Sequence, residues 1–120
     1  MDAPVKDGQI SGVEGERMEA IKITPPDGVV LDVKLHIQGK GWETYRGVSR
    51  GVYDPVMGTE GESKRVEAIE IVPVKNTTGK TLYYSVYAHE KGWLGKIKGG
   101  YASGSTGLGL QLEMIKMWLE

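Results

Sequence analysis

Cysteine is absent from the 120 residues, which excludes disulfide staples and thiolate metal sites. No stretch approaches the roughly 20 apolar residues that a membrane-spanning helix requires. Proline is scarce, at 5, and the 18 glycines follow no collagen-like period, so glycine here punctuates short strands. Charge of one sign is missing too. The formal net charge is -1, which argues against a nucleic-acid partner, whose phosphates call for a clustered basic face. Met1 leads into Asp2-Ala3-Pro4 with neither a basic start nor an apolar run, so no signal peptide is expected. With 39% hydrophobic and 26% charged residues, the composition is that of a globular chain, and a single domain spanning 1–120 is expected.

What the chain does have is repetition. Gly12-Val13-Glu14-Gly15 with Glu19-Ala20-Ile21 recurs 46 residues on, from Gly58, as Gly58-Thr59-Glu60-Gly61 with Glu67-Ala68-Ile69. A third copy, Gly104-Ser105-Thr106-Gly107 with Glu113-Met114-Ile115, starts after the same interval. A second phrase is threaded between them. Leu31 to Ile37 leads to Gly41-Trp42, and Leu82 to Ala88 leads to Gly92-Trp93, each Gly-Trp beginning ten residues after its leading leucine. A fixed period of this kind is the signature of a repeat architecture. The first copy holds only the second half of the unit, giving about two and a half repeats: a half repeat over 1–24 and repeats over 25–75 and 76–120.

The periodicity is that of strands. In Leu31-Asp32-Val33-Lys34-Leu35-His36-Ile37 apolar and polar residues alternate, which sends the leucines, Val33 and Ile37 to one face and Asp32, Lys34 and His36 to the other. The last stretch, 110–118, also fits an amphipathic helix, but its counterparts carry β-branched residues and decide for strand. Pro25-Pro26-Asp27-Gly28 and Asn76-Thr77-Thr78-Gly79 are turn clusters that predict hairpins between each glutamate strand and the alternating strand after it. The expected fold is all-β, a pseudo-threefold arrangement most like a β-prism, with a β-trefoil or incomplete barrel as the alternative. About seven strands are visible, and a last strand left at an open edge predicts pairing with another part of the sheet or a homodimer.

The phrase order resembles the clostridial hydrophobic repeat with a conserved tryptophan, the ChW family. Gly41-Trp42 and Gly92-Trp93 carry the resemblance, together with the three Gly-x-x-Gly turns and the strands led by Glu19, Glu67 and Glu113. Gln111 departs from it, standing where the other copies have Arg17 and Arg65. The resemblance implies a protein secreted or displayed by Gram-positive bacteria, hence extracellular or at the cell surface.

Several residues are candidates for contact with a partner. Trp42 and Trp93 have indole faces suited to stacking on a sugar ring or anchoring a protein interface; the alternative is core packing. His36 and Tyr87 occupy equivalent outward positions, and Gln38 and His89 are equivalent two residues later, so polar rings line one face; Tyr45 lies close by. Two histidines without cysteine or a close carboxylate pattern do not make a metal site. The glutamates could bind a sugar hydroxyl or a metal, but recurrence in every copy favours a carboxylate that accepts backbone N–H bonds from the neighbouring Gly-x-x-Gly turn. No triad order, paired acids or phosphate loop stands out, and 104–109 is glycine-rich without the strand-and-helix context of a phosphate cradle. No catalytic residue and no cofactor is therefore expected. The expectation is a non-catalytic module recognising glycan or cell-wall polymer, with a structural or protein-interaction element of an extracellular or phage assembly as the alternative, and with neither nucleic acid nor membrane as partner.

Overall fold

A computed structural model of the protein describes residues 10–12, 17–59 and 61–120, and these form β-strands and turns without a helix. Ten strands follow one another: β1 (Ile10–Gly12), β2 (Ala20–Ile21), β3 (Val29–Ile37), β4 (Gly41–Val48), β5 (Met57–Gly58), β6 (Val66–Asn76), β7 (Leu82–Ala88), β8 (Gly92–Trp93), β9 (Ile97–Lys98) and β10 (Leu112–Leu119). The excess over seven lies in pieces of two or three residues, too short to show a period. All pairings are antiparallel and fall into three sheets: β1-β10-β7-β8 with β9 also on β7, β4-β3-β6, and β2-β5.

The alternating strand β3 behaves as its sequence dictates. Every second residue from Val29 to Ile37 is buried, and Leu31, Val33, Leu35 and Ile37 lose all exposure. They join a single apolar cluster that runs from Met18 to Met117 and draws on all three copies.

The glutamate strands pair differently from the hairpins their turns suggest. β6 does not fold forward onto β7; it returns to β3, with Leu35 opposite Ile69 and Val33 opposite Ile71. Likewise β10 pairs with β7, with Ile115 opposite Val86. The reason is an order of claims on β3. The short Gly-Trp hairpin closes first in sequence and occupies one edge, leaving the other edge for the glutamate strand of the same copy. In the cluster at 76–79 the Thr78 amide donates to Asn76 Oδ1 at 3.0 Å and Asn76 Nδ2 donates to the Lys80 carbonyl at 2.7 Å, while the Thr77 amide donates to the Gly28 carbonyl at 2.9 Å. The cluster turns the chain out of one sheet and into the next.

Copies are stitched by a recurring contact. The stretch before each Gly-x-x-Gly turn lies against the glutamate strand of the preceding copy: Met57 opposes Ile21, and Ser103 bonds Ile69 through N–H to O (2.7 Å) and through the Ile69 amide to Ser103 Oγ (3.0 Å). The same relation closes the ring, because Ser11 opposes Ile115. Met57 and Ser103 each stand 46 residues after their predecessor in this series. The last strand, β10, is therefore flanked by β7 along its length and by β1 over Met114 to Lys116. At the centre the equivalent residues Met18, Val66 and Leu112 are all buried, and Met18 N–H donates to the Leu112 carbonyl (2.6 Å) while Val66 N–H donates to the Met18 carbonyl (2.7 Å).

Candidate functional site

The glycine before each tryptophan has a steric purpose. Gly41 and Gly92 sit at φ of 82° and 80°, in the left-handed region that a side chain resists. The turn ahead of each closes with the same bond, Lys40 N–H to the Ile37 carbonyl at 2.9 Å and Lys91 N–H to the Ala88 carbonyl at 3.0 Å. This geometry sets Trp42 directly opposite His36 and Trp93 directly opposite Tyr87. Each pair meets edge to face, with ring centroids 5.2 Å apart in the first and 5.5 Å in the second. Trp42 is 43% exposed and Trp93 half-buried, so neither is a core plug. The outward placement of His36 and Tyr87 agrees with the alternation.

Behind each ring pair stands the glutamate of the same copy. Glu67 accepts from Arg65 Nε at 3.1 Å and lies 3.3 Å from His36 Nδ1. Glu113, only 2% exposed, lies 2.6 Å from His89 Nδ1 and accepts from Gln111 Nε2 at 3.3 Å. In the first copy Arg17 Nε donates to Glu19 at 3.1 Å. Gln111 is thus a conservative departure, since its amide reaches the carboxylate as the arginines do. These side-chain partners replace the expected grip of Glu67 on the turn that starts at Gly58. It is the Glu19 main chain that meets that turn: its carbonyl accepts the Thr59 amide at 2.9 Å, and a Cβ on Gly58 would stand 2.4 Å from the same oxygen. His36 and His89 therefore reach equivalent carboxylates from positions two residues out of step.

Tyr45 takes a different place. Its ring packs on the core, and its hydroxyl accepts the Gly58 amide at 3.0 Å, so it clamps β4 to the following turn rather than joining the outward rings. Among the described residues no group of three His, Cys, Asp or Glu side chains could hold a metal, and no helix is long and apolar enough to cross a membrane. A shallow cleft at Pro26, Asp27, Val30, Ser49, Arg50 and Lys75 contains none of the candidate residues.

The third copy carries more aromatic surface than its motif announces. On the outer face Tyr83 stacks with Trp118 (6.3 Å, 25° between planes), and the Lys116 ammonium lies 4.4 Å from the Trp93 ring centre and 5.8 Å from that of Trp118. Lys96 sits 4.0 Å over Tyr83 and pairs with Glu120 at 2.7 Å, an interaction that holds the lysine above and the carboxyl below their ordinary pKa values. Glu120 also accepts from the Trp118 indole at 2.7 Å. Sequence reasoning passed over Trp118 because no glycine precedes it; the signal was the alternation Met114, Lys116, Trp118 along one face of β10.

Residues 36–75 fit the family model described as Clostridial hydrophobic W, a span that opens at His36, takes in Gly41-Trp42 and ends with β6. No curated protein and no solved structure matches the chain.

Proposed function

Because residues 36–75 are a repeat of the clostridial hydrophobic W family, we propose that the protein is a non-catalytic module that binds glycan or cell-wall polymer at a bacterial surface. The observation that carries the reading is the pair of outward indoles held at equivalent places, Trp42 against His36 and Trp93 against Tyr87. An indole left partly bare and fixed by a rigid hairpin offers a flat apolar face at little entropic cost, which suits the C–H face of a sugar ring. Repetition suits a polymer, since two weak contacts on one chain combine by avidity. The test is retention on purified Gram-positive wall material. Trp42→Ala and Trp93→Ala each weaken it, and the double variant loses far more than either alone. His36→Ala and Tyr87→Ala weaken it less and leave the thermal midpoint nearly unchanged.

A second reading, a protein-interaction element, has its own support in the segment between β4 and β5, where Val52 and Tyr53 are exposed. If all four variants remain folded and bind wall material and arrayed glycans as the parent does, the glycan reading fails and this one takes its place.

A further inference from the structure

The two full copies share a backbone but not an outer face. In the second copy the face is filled with ion pairs that neutralise one another, Lys34 with Glu70 at 3.1 Å and Arg46 with Asp32 at 3.5 Å. At the positions equivalent to Asp32, Lys34, Glu70 and Val72 the third copy has Tyr83, Ser85, Lys116 and Trp118. The self-neutralised surface has become aromatic and cationic. Among the described lysines and arginines with no carboxylate within 4 Å, Lys116 alone is partly buried; the others stand free in solvent. A second oddity lies across the strand. Ser85, opposite Lys116 in the register and 2% exposed, has a hydroxyl without a hydrogen-bond partner among the described residues. Buried hydroxyls of this kind are uncommon and call for an explanation. Lys98, directly opposite Tyr83, adds a further cation, and the acid on this face, Glu120, is already engaged by Lys96 and Trp118.

We propose that the outer face of β7 and β10 binds an acidic glycan, stacking a sugar ring on the indoles of Trp118 and Trp93 while the carboxylate of a uronic acid is met by Lys116. The proposal rests on the glycan reading above and assigns its charge. An apolar ring face alone would leave the partly buried ammonium without an anion. A carboxylate carried on a pyranose supplies both the apolar ring face and the anion.

Affinity electrophoresis through gels containing polygalacturonate, the same polymer methyl-esterified, or poly(glycerol phosphate) tests this. Lys116→Met is the decisive variant, because it keeps the aliphatic stem against both indoles and removes only the charge; matching thermal midpoints confirm that it is folded. Lys75→Met, on an exposed site of another sheet, is the control for net charge. Polygalacturonate retards the parent, added salt weakens the effect, and esterification or Lys116→Met weakens it about tenfold or more, as loss of a charge-assisted contact would. Lys75→Met behaves as the parent. Equal retardation by the esterified polymer, or equal losses in the two lysine variants, overturns the proposal. Lys116-dependent retention by the phosphate polymer alone overturns the carboxylate assignment. Retention on wall material or neutral glycans that ignores Lys116 sinks this inference and leaves the broader reading standing, whereas no retention on any polymer sinks both.

Discussion

Tyr84 is the largest side chain without solvent contact, and its hydroxyl lies within bonding reach of the Ile69 and Tyr101 carbonyls, so one phenol ties β7 to the strand and loop that join the second copy to the third. Burial pushes its pKa well above the usual 10.0. Below that value both folded and unfolded chains hold the proton and the contribution is complete. Above it the unfolded tyrosine ionises while Tyr84 stays neutral in the fold, so stability declines as pH climbs until the folded hydroxyl ionises too. Tyr84→Phe costs about 1–2 kcal/mol at neutral pH from the lost bond and shallows the alkaline decline, checked by urea unfolding at about pH 8 and about pH 11. A variant with the parent's alkaline slope would place that slope in other tyrosines. At this scale the sequence was informative where a residue sat in an alternating phrase: the outward positions of His36 and Tyr87 follow from alternation, whereas Gly-Trp left Trp42 between core plug and surface contact. It was uninformative for Tyr45, whose hydroxyl accepts the Gly58 amide from the turn beyond β4 in the same repeat. Trp118 was legible from the alternation Met114, Lys116, Trp118 along β10.

Strand type was legible and strand partnership was not. Alternation in β3 and the β-branched pattern of β6 state which face is buried, because the side-chain period is a local property. Which edge a strand occupies depends on partners distant in sequence, and the turn cluster at 76–79 looks like a hairpin although it joins β6 to a strand of another sheet. The last strand matters most for function, because an open edge there was the main ground for a homodimer. With β1 on one side and β7 on the other, Met114 to Lys116 are paired in both directions. Hydrogen exchange should therefore find the amides of Met114, Ile115 and Lys116 among the slowest in the chain at micromolar concentration, with light scattering reporting a monomer. Fast exchange of these amides in the monomer, slowing as concentration rises, would restore the dimer through this strand.

At the scale of the whole molecule, the repeat that is visible in sequence is not a unit of folding. The segment 25–75 contains β3 to β6 and the whole span that fits the family model, yet its bonds point outward to both neighbours. Met57–Gly58 pairs with Ala20–Ile21, the Val66 amide is taken by the Met18 carbonyl, and the Ile69 amide is taken by Ser103. Excised, these groups lose their partners, and Ile69, Ile71 and Val66, fully buried in the intact chain, lose cover from the first and third copies. A single small core below roughly 70–80 residues seldom supplies more than a few kcal/mol, and unsatisfied buried amides cost about 1–3 kcal/mol each. The isolated segment 25–75 should therefore be unfolded by circular dichroism at room temperature, while the whole chain melts in one transition whose midpoint is the same by far-ultraviolet signal and by tryptophan fluorescence. The fluorescence probe is well placed, because the three tryptophans fall on two sheets: Trp42 on β4, and Trp93 and Trp118 on either side of β7. If 25–75 alone gives a cooperative melt, or if the two probes separate in the intact chain, the copies are independent modules. The contact that threads Ser11 to Ile115, Met57 to Ile21 and Ser103 to Ile69 would then be an ornament of the fold and not the bond that closes it.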